Sequence, residues 1–343
     1  MSPKLEFGCL PTAIGSMPHV DAQEACRLVL RYLPAIPAWP QLPKRSFREI
    51  MYAQFSQGFP GITIEIEEEQ IYVNRSKDLD PALEKLYHAY LEKDTTDYTI
   101  SPEYAAGLHA FLTSEIKPLA VKGQIIGPIS WGLSVTDGLR YVVYDETLAE
   151  AMARHLRLKA SWQEKALSRI SPNTIIFVDE PHLASLGSPF VSLPSERVVA
   201  LLEETLGGIN GLKGLHCCGN TDWSMVLSLP INILSFDAYN YTTTLSVYPA
   251  EVKSFLERGG IIAWGIIPND EEALAKETIA SLNDRLEEAM APFTRNGLRF
   301  RQLIEQGLLT PSCSLAFLSL EAAEQALELL GQLSTKLRKR YTM

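Results

Sequence analysis

Short apolar runs of six to nine residues alternate along the chain with longer stretches in which apolar residues recur every three or four positions. The runs are Pro11–Ser16, Gly61–Ile66, Leu119–Gly127, Thr174–Glu180, Leu212–Cys218, Asn232–Asp237, Gly260–Ile267 and Leu308–Cys313, most of them bounded by Gly or Pro. Such runs predict strands. The longer stretches, Asp21–Leu33, Asp80–Glu92, Pro102–Glu115, Glu146–Ser168, Ser195–Leu206, Glu271–Pro292 and Leu320–Leu337, predict amphipathic helices. Asp21 and Ser195 stand where helix N-caps belong. Eight strands alternating with helices predict an α/β fold, a single (β/α)8 TIM barrel. An open doubly wound sheet is the runner-up, but no G-x-G-x-x-G follows the first strand and no phosphate-binding G-x-x-x-x-G-K-[ST] occurs. Two connections exceed ordinary barrel loops: inserts of about 17–60, with Pro34, Pro37, Pro40 and Pro43 around Trp39, and about 67–117. No repeat or linker divides the chain, so 1–343 reads as one catalytic barrel.

With 343 residues the chain is long enough for a large core. Its 31 Lys+Arg against 41 Asp+Glu leave a net charge of −10, which speaks against a nucleic-acid binder. Met1–Thr12 lacks the apolar core of a signal peptide, and no apolar stretch reaches the ~18 residues of a membrane span. The five cysteines, Cys9, Cys26, Cys217, Cys218 and Cys313, are odd in number and scattered, unlike a disulfide framework. Together these point to a cytoplasmic protein whose cysteines act as metal ligands or reactive thiols.

In such a barrel the chemistry sits at the C-terminal strand ends. Those ends carry Gly15-Ser16, Glu65 or Glu67, Gly127-Pro128, Asp179-Glu180, His216-Cys217-Cys218, Asp237, Gly265 and Cys313. On a strand, residues two apart face the same way, so His216 and Cys218 face together and Cys217 faces away. Imidazole plus thiolate suits zinc, Cys313 offers a third ligand, and Asp237 stands near a fourth position. Three ligands and one open position are the pattern of a catalytic site. The bland alternative is that these cysteines are small core residues. Zinc held by two thiolates is suited to binding a substrate thiol in deprotonated form, and that predicts alkyl transfer to sulfur. Asp179-Glu180 offers carboxylates for a substrate ammonium or for proton transfer.

Thr12-Ala13-Ile14-Gly15-Ser16-Met17-Pro18, Val178-Asp179-Glu180-Pro181, His216-x-Cys218 and Pro311-Ser312-Cys313 together resemble motifs of the cobalamin-independent methionine synthases, in their catalytic C-terminal barrel. The resemblance runs from about 11 to about 330. It implies zinc on His216, Cys218 and Cys313, with Asp237 at the place of a glutamate ligand. It implies homocysteine held by Ile14, Gly15 and Ser16, by Asp179 and Glu180, and by Glu65 or Glu67, with Asp179 and Asp237 in catalysis. The family's histidine after strand seven is missing; Trp264–Asp270 has none, which leaves Asp270 or solvent to handle the proton. The Gly127-Pro128 turn resembles a close backbone approach to a planar donor. The chain has the length of short "core" methionine synthases, and the Cys-Gly-Asn-Thr after His216 also resembles methylcobamide:coenzyme M methyltransferases. The resemblance therefore implies methylcobalamin, on a corrinoid protein partner, as methyl donor and homocysteine as acceptor. Rivals are methyl transfer to another thiol such as coenzyme M, a metal-free decarboxylase on the same superfamily's barrel, and a corrinoid-binding protein without turnover.

Overall fold

The computed structural model describes residues 6–189 and 191–341; Met1–Leu5 of the N-terminal stretch lie outside them. Nine strands form: β1 Leu10–Pro11, β2 Ile62–Glu65, β3 Gln70–Val73, β4 Val121–Ile126, β5 Thr174–Asp179, β6 Leu212–Cys217, β7 Ile233–Phe236, β8 Ile261–Ile267 and β9 Gly307–Pro311. Seven of them make one parallel sheet in the order β1-β9-β8-β7-β6-β5-β4. Helices return the chain between them, as parallel neighbours require. Asp21 does cap helix Ala22–Tyr32, accepting from the Glu24 amide, whereas Pro194, not Ser195, holds the cap position of Ser195–Leu206. Among the described residues no helix is long and apolar enough to cross a membrane.

The expected second barrel strand is elsewhere. Gly61–Ile66 supplies β2, which pairs only with β3 in an antiparallel hairpin separate from the sheet. The reason is legible in its alternation. Ile62-Thr63-Ile64-Glu65 has one wet face, and all four residues are half-buried, whereas a strand inside a parallel sheet is buried on both. The place between β1 and β4 is taken instead by the proline-rich segment 35–41. The Trp39 amide donates to the Lys122 carbonyl (3.3 Å) and the Lys122 amide to the Pro37 carbonyl (2.9 Å). On its other side the Gln41 amide donates to the Gly15 carbonyl (3.0 Å) and the Met17 amide to the Gln41 carbonyl (2.9 Å). Pro37 and Pro40 have no N–H to give, so isolated bridges form where an eighth ladder was expected. The sheet is therefore a curled, seven-stranded one whose edges are linked by this segment, and not a closed eight-stranded barrel.

Side-chain alternation divides the sheet into two faces. Ala120, Ile175, Phe177, Ile233, Ile261 and Leu308 belong to a small apolar cluster inside the curl, while the larger core lies between the sheet and its helices. Counting on by twos, Lys122, Asp179, Ser235 and Thr310 face inward as well. The inner face is apolar toward the strand N-termini and polar toward the C-termini.

Gly107, on helix Ala106–Leu112, packs on the linking segment: a Cβ there would lie 1.9 Å from the Pro40 carbonyl oxygen. Helix propensity alone would make Gly107→Ala stabilising by up to about 1 kcal/mol. Overpacking against backbone reverses the sign and costs about 1–3 kcal/mol. A lower melting temperature is expected; an unchanged or raised one would show that the linking segment yields.

Candidate metal centre

At the C-terminal ends of β6 and β9, one nitrogen of His216 and the sulfurs of Cys218 and Cys313 lie within 4.8 Å of one another. Among the described residues they are the one group of three or more His, Cys, Asp or Glu side chains close enough to share an ion. His216 is buried and faces inward from β6. Its Nδ1 lies 2.9 Å from Ser235 Oγ, and its Nε2, fully buried, makes no conventional hydrogen bond. A buried ring nitrogen without a partner is costly unless something binds it, and the atoms grouped with it are two sulfurs. The two thiols are shifted in opposite directions: a hydrogen bond from Cys313 and the neighbouring His216 pull Cys218 down, and the same Cys218 pushes Cys313 up. Burial lowers His216, yet the Cys218 sulfur outweighs it and the net shift is upward. An imidazole nitrogen and two sulfurs, one of them already shifted toward the thiolate, are donors that fit a borderline-soft divalent ion. Cys217 faces away as expected, its thiol 3.5 Å from the Gly219 carbonyl and pushed up to about 12 by burial.

Asp237 stands apart from the trio. Its Oδ1 accepts from the Asn240 amide (2.8 Å) and its Oδ2 from Asn240 Nδ2 (2.7 Å), while burial raises its pKa. Tyr239 is also turned elsewhere, its hydroxyl donating to Glu277 Oε1 at 2.8 Å.

Asp179 sits in register with His216, and His216 with Ser235, so the three occupy one lateral row across β5, β6 and β7. Asp179 is buried, and its Oδ1 has no partner. Burial raises its pKa against the opposing pull of Lys122 and His216. Glu180 has a different task. It accepts from the amides of Ile129 and Ser130 (2.8 Å each) and from Ser130 Oγ (2.6 Å), at the start of helix Pro128–Gly132. Gly127 exists to admit it, since a Cβ there would lie 2.1 Å from Glu180 Oε1. The Gly127-Pro128 turn is therefore filled by a carboxylate of the chain itself. Glu65, on the hairpin, accepts from Tyr72 (2.8 Å), and Glu67 is exposed at its turn. Neither stands at the end of a strand of the main sheet.

The Ile14–Ser16 segment is braced from below. Lys122 Nζ donates to the Ile14 carbonyl at 2.6 Å, and Gly15, at φ 149°, presses on the Gln124 side chain, which a Cβ would meet at 2.6 Å. Ser16 Oγ lies 3.4 Å from Gln41 Oε1. Where a histidine was sought after β8, Asn269 accepts from Ser312 Oγ (2.9 Å) and so holds the turn that presents Cys313. Asp270 is exposed and caps the next helix.

Three residues escaped the sequence reading. Tyr52 stacks on His182 (6.1 Å between rings) and is close enough to Cys218 and Cys313 for their charge to raise its pKa, although burial does more. Nothing in its own segment signals that position. Ser235 and Lys122 were findable: each faces inward by alternation from an apolar strand.

Because Ser235 Oγ bonds His216 Nδ1 and so aims its ring, Ser235→Ala is expected to weaken metal affinity by roughly 10–100-fold. Competition against a chromophoric chelator measures it; unchanged affinity would remove Ser235 from the site.

No protein-family model matches this chain, and no curated protein does. Solved structures do, 42 chains among them. One is described as a B12-independent methionine synthase from Shewanella sp. W3-18-1 in complex with selenomethionine, with a TM-score of 0.61 and 16% identity, covering 97% of this chain and 98% of that one. At that identity the likeness is one of fold: the chain shares the architecture of a methionine synthase over nearly its whole length.

Proposed function

We propose that residues 1–343 form one catalytic unit, a zinc-dependent methyltransferase whose acceptor is the thiol of homocysteine. The observation that carries the reading is the grouping of a His216 ring nitrogen with the sulfurs of Cys218 and Cys313, beside a buried His216 Nε2 that has no hydrogen-bond partner. His216, Cys218 and Cys313 would hold the zinc, and fewer than four protein ligands leave room for an exogenous one. When bound, zinc supplies a Lewis acid that takes a thiol as its thiolate. The chain's own residues then do the positioning. Asp179 presents a free, buried carboxylate oxygen to the substrate ammonium. Ile14, Gly15 and Ser16 offer backbone amides and a hydroxyl to its carboxylate. Tyr52, packed on His182, screens the sulfurs from water. Asp237 is a positioning residue, ordering the Asp237–Asn240 turn beside the metal. The similar solved protein was captured with selenomethionine, an analogue of the product this reading requires.

The donor is a separate question. The chain length and the Cys-Gly-Asn-Thr after His216 suggest methyl from cobalamin on a corrinoid protein, but the similar solved protein is described as B12-independent. The proposal therefore rests on the acceptor half, and the donor is a variable of the assay.

Zinc-loaded protein is expected to form methionine from homocysteine with either methylcobalamin or a methylated folate. Removing the metal with a chelator should abolish turnover, and Cys218→Ser should leave less than about one hundredth of it, since a ligand matters more than its outer-shell support. Full activity in the metal-free protein or in Cys218→Ser would overturn the reading. Methyl transfer to 2-mercaptoethanesulfonate but not to homocysteine would keep the metal and move the acceptor.

A further inference from the structure

Lys122 is the second residue of β4, at a position where apolar residues belong. It is fully buried, on the inner face of β4, with its Nζ 4.4 Å from the Phe177 ring centroid. An ammonium in such a place is costly unless it is bonded and paired. Its hydrogen bonds go to the Ile14 carbonyl (2.6 Å) and to Gln124 Oε1 (3.3 Å), and the carboxylate that acts on it through space is Asp179. Gln124 in turn donates to the Trp39 carbonyl at 3.1 Å and packs under Gly15. Lys122 therefore ties the Ile14–Ser16 segment to β4 and places a positive charge directly beneath it. Asp179 places a negative charge, with one unpartnered oxygen, on the neighbouring strand. Thr12 Oγ1, two residues before Ile14, is a further buried polar atom without a partner. A cation under one wall and a carboxylate on the next make a fixed dipole, and among the described residues no hydrogen bond reaches Asp179 Oδ1.

We infer that Lys122 is a specificity-determining residue: with Asp179 it selects a zwitterionic α-amino-acid head on the acceptor thiol, its charge drawing the head's carboxylate to the Ile14–Ser16 segment. This rests on the acceptor reading above. The ammonium reaches Asp179 directly. The carboxylate meets the segment's amides and hydroxyl and is attracted by Lys122 from below without displacing its bond to Ile14. A simple alkyl thiol has neither charge and gains nothing from the pair. A sulfonate thiol lacks the ammonium and meets Asp179 as a like charge.

The test is thiol binding to cobalt(II)-substituted protein, read by the sulfur-to-metal charge-transfer band, with homocysteine, homocysteine methyl ester and propanethiol as probes. Wild type is expected to prefer homocysteine over both by about tenfold or more, in keeping with one desolvated charge contact. Lys122→Met keeps the length of the stem and removes the charge. It should bind cobalt in the same ratio and propanethiol with the same affinity, yet no longer distinguish homocysteine from its methyl ester. An unchanged acid-to-ester ratio in Lys122→Met, or an equal loss for all three thiols, would overturn the inference. If that variant does not take up cobalt, the wild-type acid-to-ester ratio decides, and a ratio near one overturns it. Wild type that binds propanethiol as well as homocysteine would instead sink the acceptor reading on which the inference rests.

Discussion

Everything at this site depends on strand register. Asp179, His216 and Ser235 stand side by side because the β5–β6 and β6–β7 ladders pair Asp179 with His216 and His216 with Ser235. A slip of one residue in β6 would turn His216 and Cys218 outward into the helix-packed core and bring Cys217 inward. The register is held from both faces. Inside, the apolar cluster around Phe177 and Ile233 fills the curl below the site. Outside, Leu215, Cys217, Leu234 and Phe236 are buried against helices. The β6 ladders aim His216, and Cys218 and Cys313 follow within two residues of the ends of β6 and β9.

The same economy appears in the polar support. Each chemistry-bearing group is held by a second side chain. Ser235 holds His216, Asn269 holds the Cys313 turn through Ser312, and Lys122 holds the Ile14–Ser16 segment. Glu180 belongs to this supporting set. Its three hydrogen bonds close the start of helix Pro128–Gly132 and leave its neighbour Asp179 as the carboxylate with a free oxygen. Two adjacent acids at one strand end thus divide into a structural one and an open one.

Much of this was legible in the sequence, and what was not has physical reasons. The six apolar runs from Leu119 onward became sheet strands because each is buried on both faces and so reads as a continuous apolar run. The His-x-Cys spacing placed two ligands on one face by period two alone, and Cys313 was found because it too ends a strand. Gly61–Ile66 misled because an alternating segment looks like any strand until its partner is known. The segment 35–41 was passed over because prolines hide an extended run that bonds only at alternate positions. Glu65 and Glu67 followed the first of these errors. Glu180 was assigned to substrate because sequence shows an acid but not the two amides waiting for it. Tyr52 was invisible, since it reaches the sulfurs from an excursion whose path only tertiary packing sets.

The most direct measurement of the central claim is X-ray absorption at the zinc edge of zinc-loaded protein, before and after homocysteine is added. Two sulfurs near 2.3 Å with nitrogen or oxygen neighbours are expected first, and a third sulfur at the same distance after the thiol is added. A sulfur count that does not change on addition, or a metal bound without sulfur, would contradict a thiol-binding centre on His216, Cys218 and Cys313.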